Sequence, residues 1–408
     1  MPSPLHDLVE MPQARLLPLA KRLLALQWRD RGRSTFVLRR RGIEFGHVVA
    51  KRLPLPSLRA ATERWRRADA VYLPGILGAG PQQQQAAIKT CRQMFDRLRH
   101  GGNFLDELFA RIGTDPHLRY VGSTQDPSDR REIEQVFLNA DCHGKTVALD
   151  LWAKLTWHTN EASDRSLRIR FSSGREHLDE WQLQTEATAR WVDEFALRAF
   201  PECRAILECA PLHAMLQQLL QRPYRISERI LYNNAPGGGA VFHHDAEPGQ
   251  LGVCFSQLQG HTAWFAIRKR KLARLLVKSG HCPTERQAML SLDNGNDERL
   301  WQLVNRTPQF AQLMSAHGVL FVLAAGDSIL LPSHGIDDVA WHSVFALGEQ
   351  PSLAHSYGIF PKRAGYQLPC FEAEAASHAA PKRPLVLKKS AARTGSNLAV
   401  RARNHSHE

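Results

Sequence analysis

Residues 232–245 read YNNAPGGGAVFHHD, a glycine-rich turn running into two histidines and an acid. On a strand, residues two apart share a face, so His243 and Asp245 point together while His244 points away. An imidazole beside a carboxylate makes two legs of the 2-His-1-carboxylate arrangement, which leaves coordination positions open on a non-haem Fe(II) ion. Alone, HxD arises often by chance. His342, in VAWHSVF, supplies a third leg on a later strand, after the tight turn and apolar run GDSILLP at 326–332. A histidine in so apolar a strand is costly unless a partner holds it. Each histidine taken singly also fits a hydrogen-bonded core or surface residue. Together, His243, Asp245 and His342 are read as the ligands of one Fe(II) and as the catalytic centre. His244 and Ser343 are read as packing around those ligands.

Several short strands must position these residues. The expected strands are Ser227–Tyr232, Val241–Asp245, Leu251–Leu258, Thr262–Arg268, Val319–Leu323, Asp327–Leu331, Val339–Leu347 and Ser352–Phe360. Many short strands at close spacing, punctuated by glycine and proline, indicate a barrel or sandwich. A charged helical insertion occupies 269–318. Upstream, Pro81–Arg99 and Phe104–Ile112 read as helices, 121–130 as a loop, and β character begins near 146 with Val147–Trp157 and Leu167–Phe171. A helical block, Glu176 to Leu220, is expected to buttress the sheet. The resulting partition is a helical, basic region over 1–115, strands and helices supporting the barrel over 116–225, a metal-binding core over 226–373, and a disordered basic tail over 374–408. That tail has too few apolar residues to offset its ordering entropy.

Residues 227–360 resemble the JmjC/cupin-like Fe(II)- and 2-oxoglutarate-dependent oxygenases. The resemblance rests on an ordered set: a Gly/Pro lead-in to an HxD (Pro236–Asp245), a strand opening GHTAW (260–264), the GDSILLP turn and strand, Trp341-His342, and the serine-led SLAHSY (352–357). It implies an α+β protein with a cupin-type double-stranded β-helix (jelly-roll) core flanked by helices. It also implies Fe(II), 2-oxoglutarate and O₂ as reaction partners, and hydroxylation or demethylation of a protein side chain or a small molecule. By the same resemblance, the cosubstrate carboxylate lies near the residue two after the strand-end glycine, where the family usually carries lysine. This chain has Thr262, which can hydrogen-bond a carboxylate but brings no charge. Tyr232, Asn234 and Ser356 are the further cosubstrate-binding candidates, with Lys154 and Arg168 as sources of charge from earlier strands. The threonine keeps open a cupin metalloenzyme that does not use 2-oxoglutarate. A non-catalytic cupin-like binding module is the third reading.

Composition sets looser bounds. The 408 residues carry 53 Lys+Arg against 40 Asp+Glu, a net charge of +13. Such a balance suits an acidic partner, nucleic acid or a ribosome, reached through the basic surface and tail; an arginine-rich composition with a solvated tail accounts for it equally. Seven cysteines without a CxxC pair argue against a disulfide scaffold and for a reducing, cytoplasmic setting. The stretch 14–28 (ARLLPLAKRLLALQW) is basic and apolar, but Lys21 and Arg22 interrupt it and no membrane span is expected. GxSxG, HExxH and Walker A sequences are lacking, so hydrolase and nucleotide-hydrolysing chemistries find no support.

Overall fold

Strands rich in branched and aromatic residues dominate the chain. The computed structural model describes residues 35–50, 53–78, 82–161, 164–174, 186–294, 297–317 and 320–362. The expectations for 14–28 and for the tail 374–408 fall outside these residues.

A hairpin, β1 (Thr35–Arg40) and β2 (Ile43–Val49), comes first, then helix α1 (Leu58–Arg66) and the short strand β3 (Val71–Leu73). Helices α2 (Gln82–Arg99) and α3 (Phe104–Ile112) follow, α3 starting where the Asn103 side chain accepts from Asp106 N. Four antiparallel strands come next: β4 (Leu118–Thr124), β5 (Glu132–Cys142), β6 (Lys145–Trp157) and β7 (Leu167–Ser173). β structure therefore begins at residue 35, with the hairpin, and the run of sheet strands leading into the barrel starts at residue 118, both upstream of the expected 146. The edge strand β4 is exposed along most of its length, so its sequence lacks the alternation that marks a half-buried strand. Helices α4 (Glu186–Ala199), α5 (Arg204–Leu207) and α6 (Ala210–Leu220) precede the barrel.

The barrel strands are β8 (Tyr224–Asn234), β9 (Gly252–Gln259) and β10 (His261–Arg268), then β11 (Leu320–Ala324), β12 (Ser328–Pro332), β13 (Ala340–Leu347) and β14 (Ser352–Pro361). Between β10 and β11 stand α7 (Lys269–Lys278), α8 (Glu285–Asn294), α9 (Glu298–Arg306) and α10 (Pro308–Ala316). A nine-stranded sheet runs β3-β12-β9-β14-β8-β7-β6-β5-β4, and a smaller sheet runs β11-β10-β13. Residues 238–243 extend the smaller sheet: Ala346 N bonds Gly238 O, Val344 N bonds Ala240 O, and His342 pairs with His243.

Counted with that segment, eight stretches from β8 to β14 switch back and forth between the two sheets, with β10 and β11 successive in the smaller one. The order β12-β9-β14-β8 faces β11-β10-β13-(238–243). This interleaving defines the double-stranded β-helix. Between the sheets lie Tyr72, Phe255, Trp264, Ile329, Val344 and Ala354. Outside the larger sheet, α4 packs Trp191, Val192, Phe195 and Ala199 in one core with Leu155, Ile169 and Phe171. Outside the smaller sheet, α7, α9 and α10 cover Phe265, Ile267 and Phe345. An open region lies between the sheets near the end of segment 238–245.

Candidate metal centre

The three predicted ligands meet there. His243 ends the paired segment, Asp245 follows as the chain leaves the sheet, and His342 sits opposite His243 on β13. Their ligating atoms all lie within 4.8 Å of one another. His243 Nε2 is 3.3 Å from Asp245 Oδ1, and His342 Nε2 is 3.3 Å from Asp245 Oδ2. Donors about 2.1 Å from one ion and at right angles around it stand about 3 Å apart, so the observed spacing matches a single shared cation. His243 Nδ1 lies 2.7 Å from Val241 O. That contact puts the proton on Nδ1 and leaves the Nε2 lone pair directed at the centre.

The electrostatics follow the same logic. Burial pulls the His243 pKa down, but the adjacent Asp245 carboxylate outweighs it and the net direction is up. His342 is 3% exposed; burial, with the His243 charge added, lowers its pKa to about 3, so it is a neutral donor at neutral pH. Burial raises Asp245, yet the two flanking imidazoles prevail and keep it below the ordinary carboxylate range. The carboxylate is ionised and at least one imidazole is neutral, as a metal requires.

Neighbouring side chains fix the ligands. The Trp264 indole stacks on His342, centroids 5.3 Å apart and planes 21° from parallel. His244 turns away, as expected, packing its ring at 5.3 Å against Trp341. Ser343 points behind β13 and accepts from Arg40 Nη1 at 2.6 Å. The same Nη1 reaches Ala240 O at 2.6 Å, and Nη2 donates to Asn305 O at 2.9 Å. Asn305 Oδ1 in turn accepts from Phe242 N at 2.6 Å. The ligand-bearing segment is therefore clamped by a hairpin residue and by α9. Neither Arg40 nor Asn305 carries a sequence signal, since each lies far from the segment it holds.

A cleft of about 370 Å³, open solvent at its mouth included, adjoins the ligands; Tyr232, Asn234 and Ser356 line it with His158, Phe255 and Trp264. Asn234 Oδ1 and His158 Nδ1 are buried there without hydrogen-bond partners of good geometry. His158 stays neutral, because burial and the nearby Arg168 charge push its pKa well down. It was not anticipated from sequence; a polar residue ending an apolar strand was its sole signal. Thr262 is placed differently from the other candidates. Fully buried outside the cleft lining, it donates to Gln257 Oε1 at 2.7 Å and accepts from Trp264 Nε1 at 3.0 Å. Its hydroxyl is already committed. Lys154, one of the two charge candidates, pairs with Glu132 at 2.7 Å.

No family model and no curated protein matches the chain. Among solved structures it is similar to a 2OG-Fe(II) oxygenase family oxidoreductase from Burkholderia pseudomallei, at 10% identity and a TM-score of 0.30, covering 76% of this chain and 93% of that one. HygX from Streptomyces hygroscopicus, solved with nickel and 2-oxoglutarate bound, aligns at 12% identity and 0.30, covering 74% and 87%. YcfD, a ribosomal oxygenase from Escherichia coli, aligns at 16% and 0.21, over 64% of this chain and 44% of its own length. Scores this low add no weight to the strand order and ligand geometry above. No helix among the described residues is long and apolar enough to cross a membrane.

Proposed function

We propose that this protein is an Fe(II)- and 2-oxoglutarate-dependent oxygenase that hydroxylates, or by hydroxylation demethylates, a protein side chain or a small molecule. The observation that carries the reading is the convergence of two imidazoles and one carboxylate inside a double-stranded β-helix. His243, Asp245 and His342 would hold the iron on one side and leave the cleft side open to cosubstrate and O₂. With iron, 2-oxoglutarate and O₂ bound, such a centre supplies an oxidant able to oxygenate an unactivated C–H bond.

The chain's own residues provide orientation and exclusion. Val241 O sets the His243 tautomer, Trp264 shields the buried face of His342, and Phe255, Val253 and Leu331 keep that wall of the cleft apolar. Tyr232, Asn234 and Ser356 offer polar contacts to the cosubstrate. Burial raises the Tyr232 hydroxyl pKa to about 12, so it remains a donor at neutral pH. Six cysteines among the described residues are free thiols, which supports a reducing, cytoplasmic setting. The +13 charge suits a ribonucleoprotein or other acidic surroundings.

The commitment of Thr262 to Gln257 and Trp264 favours a second reading, a cupin metalloenzyme without 2-oxoglutarate. One experiment separates the two. Iron-loaded protein is titrated anaerobically with 2-oxoglutarate, then exposed to O₂ and assayed for succinate. Saturable binding and iron-dependent succinate support the oxygenase; metal-loaded protein indifferent to 2-oxoglutarate overturns it.

A further inference from the structure

A dicarboxylate cosubstrate needs a cation for the carboxylate that does not chelate the metal. Among the side chains that line the cleft, that charge is missing, and Thr262 is neutral with its hydroxyl spent. We infer that Arg168, on a strand added outside the eight-stranded barrel, is the cationic anchor for the distal carboxylate of 2-oxoglutarate. This rests on the oxygenase reading and assigns it a residue.

The sheet register places Arg168 correctly. Arg168 on β7 pairs directly with Tyr232 on β8, and with Thr156 on β6. Cross-strand partners project from the same face, so Arg168 shares the face from which Tyr232 lines the cleft. Its charge is felt at the centre, depressing His158 and opposing the rise of His243. The Tyr232 hydroxyl is hydrogen-bonded to Ser356, another lining residue. Arg168 is not itself part of the lining, but its register sets it on the same sheet face, next to the phenol and serine hydroxyl that are.

Arg168 also differs from its basic neighbours in forming no direct ion pair among the described residues; Asp129, which is paired with Arg131, reaches it only through its field. Its Nε donates to Thr156 Oγ1 at 2.9 Å, which orients the fork, and among the described residues its Nη groups have no recorded ion pair or hydrogen bond. Lys154 pairs with Glu132, Arg131 with Asp129, Arg41 with Glu161 and Asp164, and Arg306 with Glu161. Burial lowers the Arg168 pKa, the mark of a cation short of compensation. A half-buried guanidinium without a direct ion pair is costly to keep, and a bidentate carboxylate offsets that cost. An arginine oriented by a neutral threonine and left without a directly bonded acid suits a ligand that brings the carboxylate.

The test compares two 2-oxo acids on Ni(II)-loaded protein, by calorimetric titration, for wild type, Arg168→Met and Arg168→Lys. 2-Oxoglutarate carries the distal carboxylate; 2-oxobutanoate has the same chelating atoms without it. Wild type is expected to prefer 2-oxoglutarate. Arg168→Met should weaken 2-oxoglutarate by about ten- to a hundred-fold, the worth of one charge-assisted contact, and leave 2-oxobutanoate unchanged. Arg168→Lys, which keeps the charge and is the variant to rely on should the methionine protein misfold, should recover part of the loss. Equal 2-oxoglutarate affinity in wild type and both variants overturns the assignment of Arg168 while leaving the oxygenase reading intact. Wild type that retains nickel yet binds neither acid overturns the oxygenase reading and this inference with it.

Discussion

His243 and His342 exchange both backbone hydrogen bonds, His342 N to His243 O at 2.8 Å and His243 N to His342 O at 3.0 Å. Directly opposed residues of an antiparallel pair project from the same face, so the ladder itself brings the two rings to a centroid distance of 4.2 Å. Asp245, two residues past His243, leaves the ladder and swings its carboxylate between the two Nε2 atoms. The donor set is thus prepared by strand pairing before any ion arrives.

Replacing any one of the three with alanine should abolish metal retention. The expected loss in affinity exceeds the ~10–100-fold that follows removal of a mere outer partner. Metal content after desalting, measured beside far-UV circular dichroism to confirm folding, checks this. A folded His342→Ala protein that keeps a full equivalent of iron would rule the centre out.

Arg40 joins three elements through one buried side chain, holding Ala240, Ser343 and Asn305. Its ring contacts add to this, the guanidinium lying 4.4 Å from the Phe345 centroid. Arg40→Met keeps the bulk and removes the donors, leaving buried acceptors short of partners at ~1–3 kcal/mol each. The expected result is a net loss of about 2 kcal/mol, the variant being spared the cost of burying a charge, and a metal affinity lower by ~10–100-fold. Urea unfolding of the metal-free protein and a metal titration report the two effects separately. Unchanged values in both would show that the clamp is idle.

Much of this arrangement was legible before any coordinates. The HxD spacing and the apolar setting of His342 single out the three ligands, although the expected strand Val241–Asp245 stops pairing at His243, so that Asp245 reaches the centre from outside the ladder. Strand order from 227 to 360 follows from the spacing of glycine and proline turns. β4 is harder to see, because an exposed edge strand such as 118–124 carries no buried face to imprint a pattern. Thr262 illustrates a different limit: its side-chain partners, Gln257 and Trp264, depend on rotamers that no spacing rule specifies. The same holds for Lys154, whose pairing with Glu132 left Arg168 as the unpaired cation of the two.

Thr262 provides a test between a binding and a structural role. Thr262→Val removes the link from Trp264 Nε1 to Gln257 Oε1, leaving two buried groups unsatisfied. The expected cost is ~1–3 kcal/mol in stability. Some loss of metal affinity should accompany it, since Trp264 stacks on His342. A cosubstrate contact would produce the opposite pattern, with stability unchanged and only 2-oxoglutarate binding weakened. Chemical denaturation and ligand titration on the same preparation decide.

The glycine-rich lead-in discriminates position by position. Gly239 has φ +128°, and a Cβ there would sit 2.2 Å from Val344 O, inside the pairing that aligns the ligand segment. Gly237 also has positive φ, at +69°, but a Cβ there meets nothing within 4 Å. Gly239→Ala should therefore cost ~3 kcal/mol or more and disturb metal binding, against ~1 kcal/mol for Gly237→Ala. Equal thermal midpoints for the two variants would contradict the close approach of the segment to β13.

His355 makes acid sensitivity a property of the core as well as of the metal centre. It is fully buried on β14, its ring 4.7 Å from that of Tyr357, with neither ring nitrogen in a hydrogen bond of good geometry. Burial, followed by the nearby Arg229 charge, drives its pKa well below the ordinary 6.5, so the folded protein keeps this imidazole neutral. The unfolded chain takes up a proton there near pH 6.5, which the folded state refuses. Below that pH the unfolded state binds more protons, so stability falls as the pH drops towards the depressed folded-state value. The slope attributable to one such group is at most ~1.4 kcal/mol per pH unit. His355→Leu should reduce the pH dependence of metal-free unfolding between pH 7 and 5 by about one proton equivalent. Urea denaturation across that range, with chelator present, measures it; parallel curves for the two proteins would mean that His355 already carries a proton in the folded state.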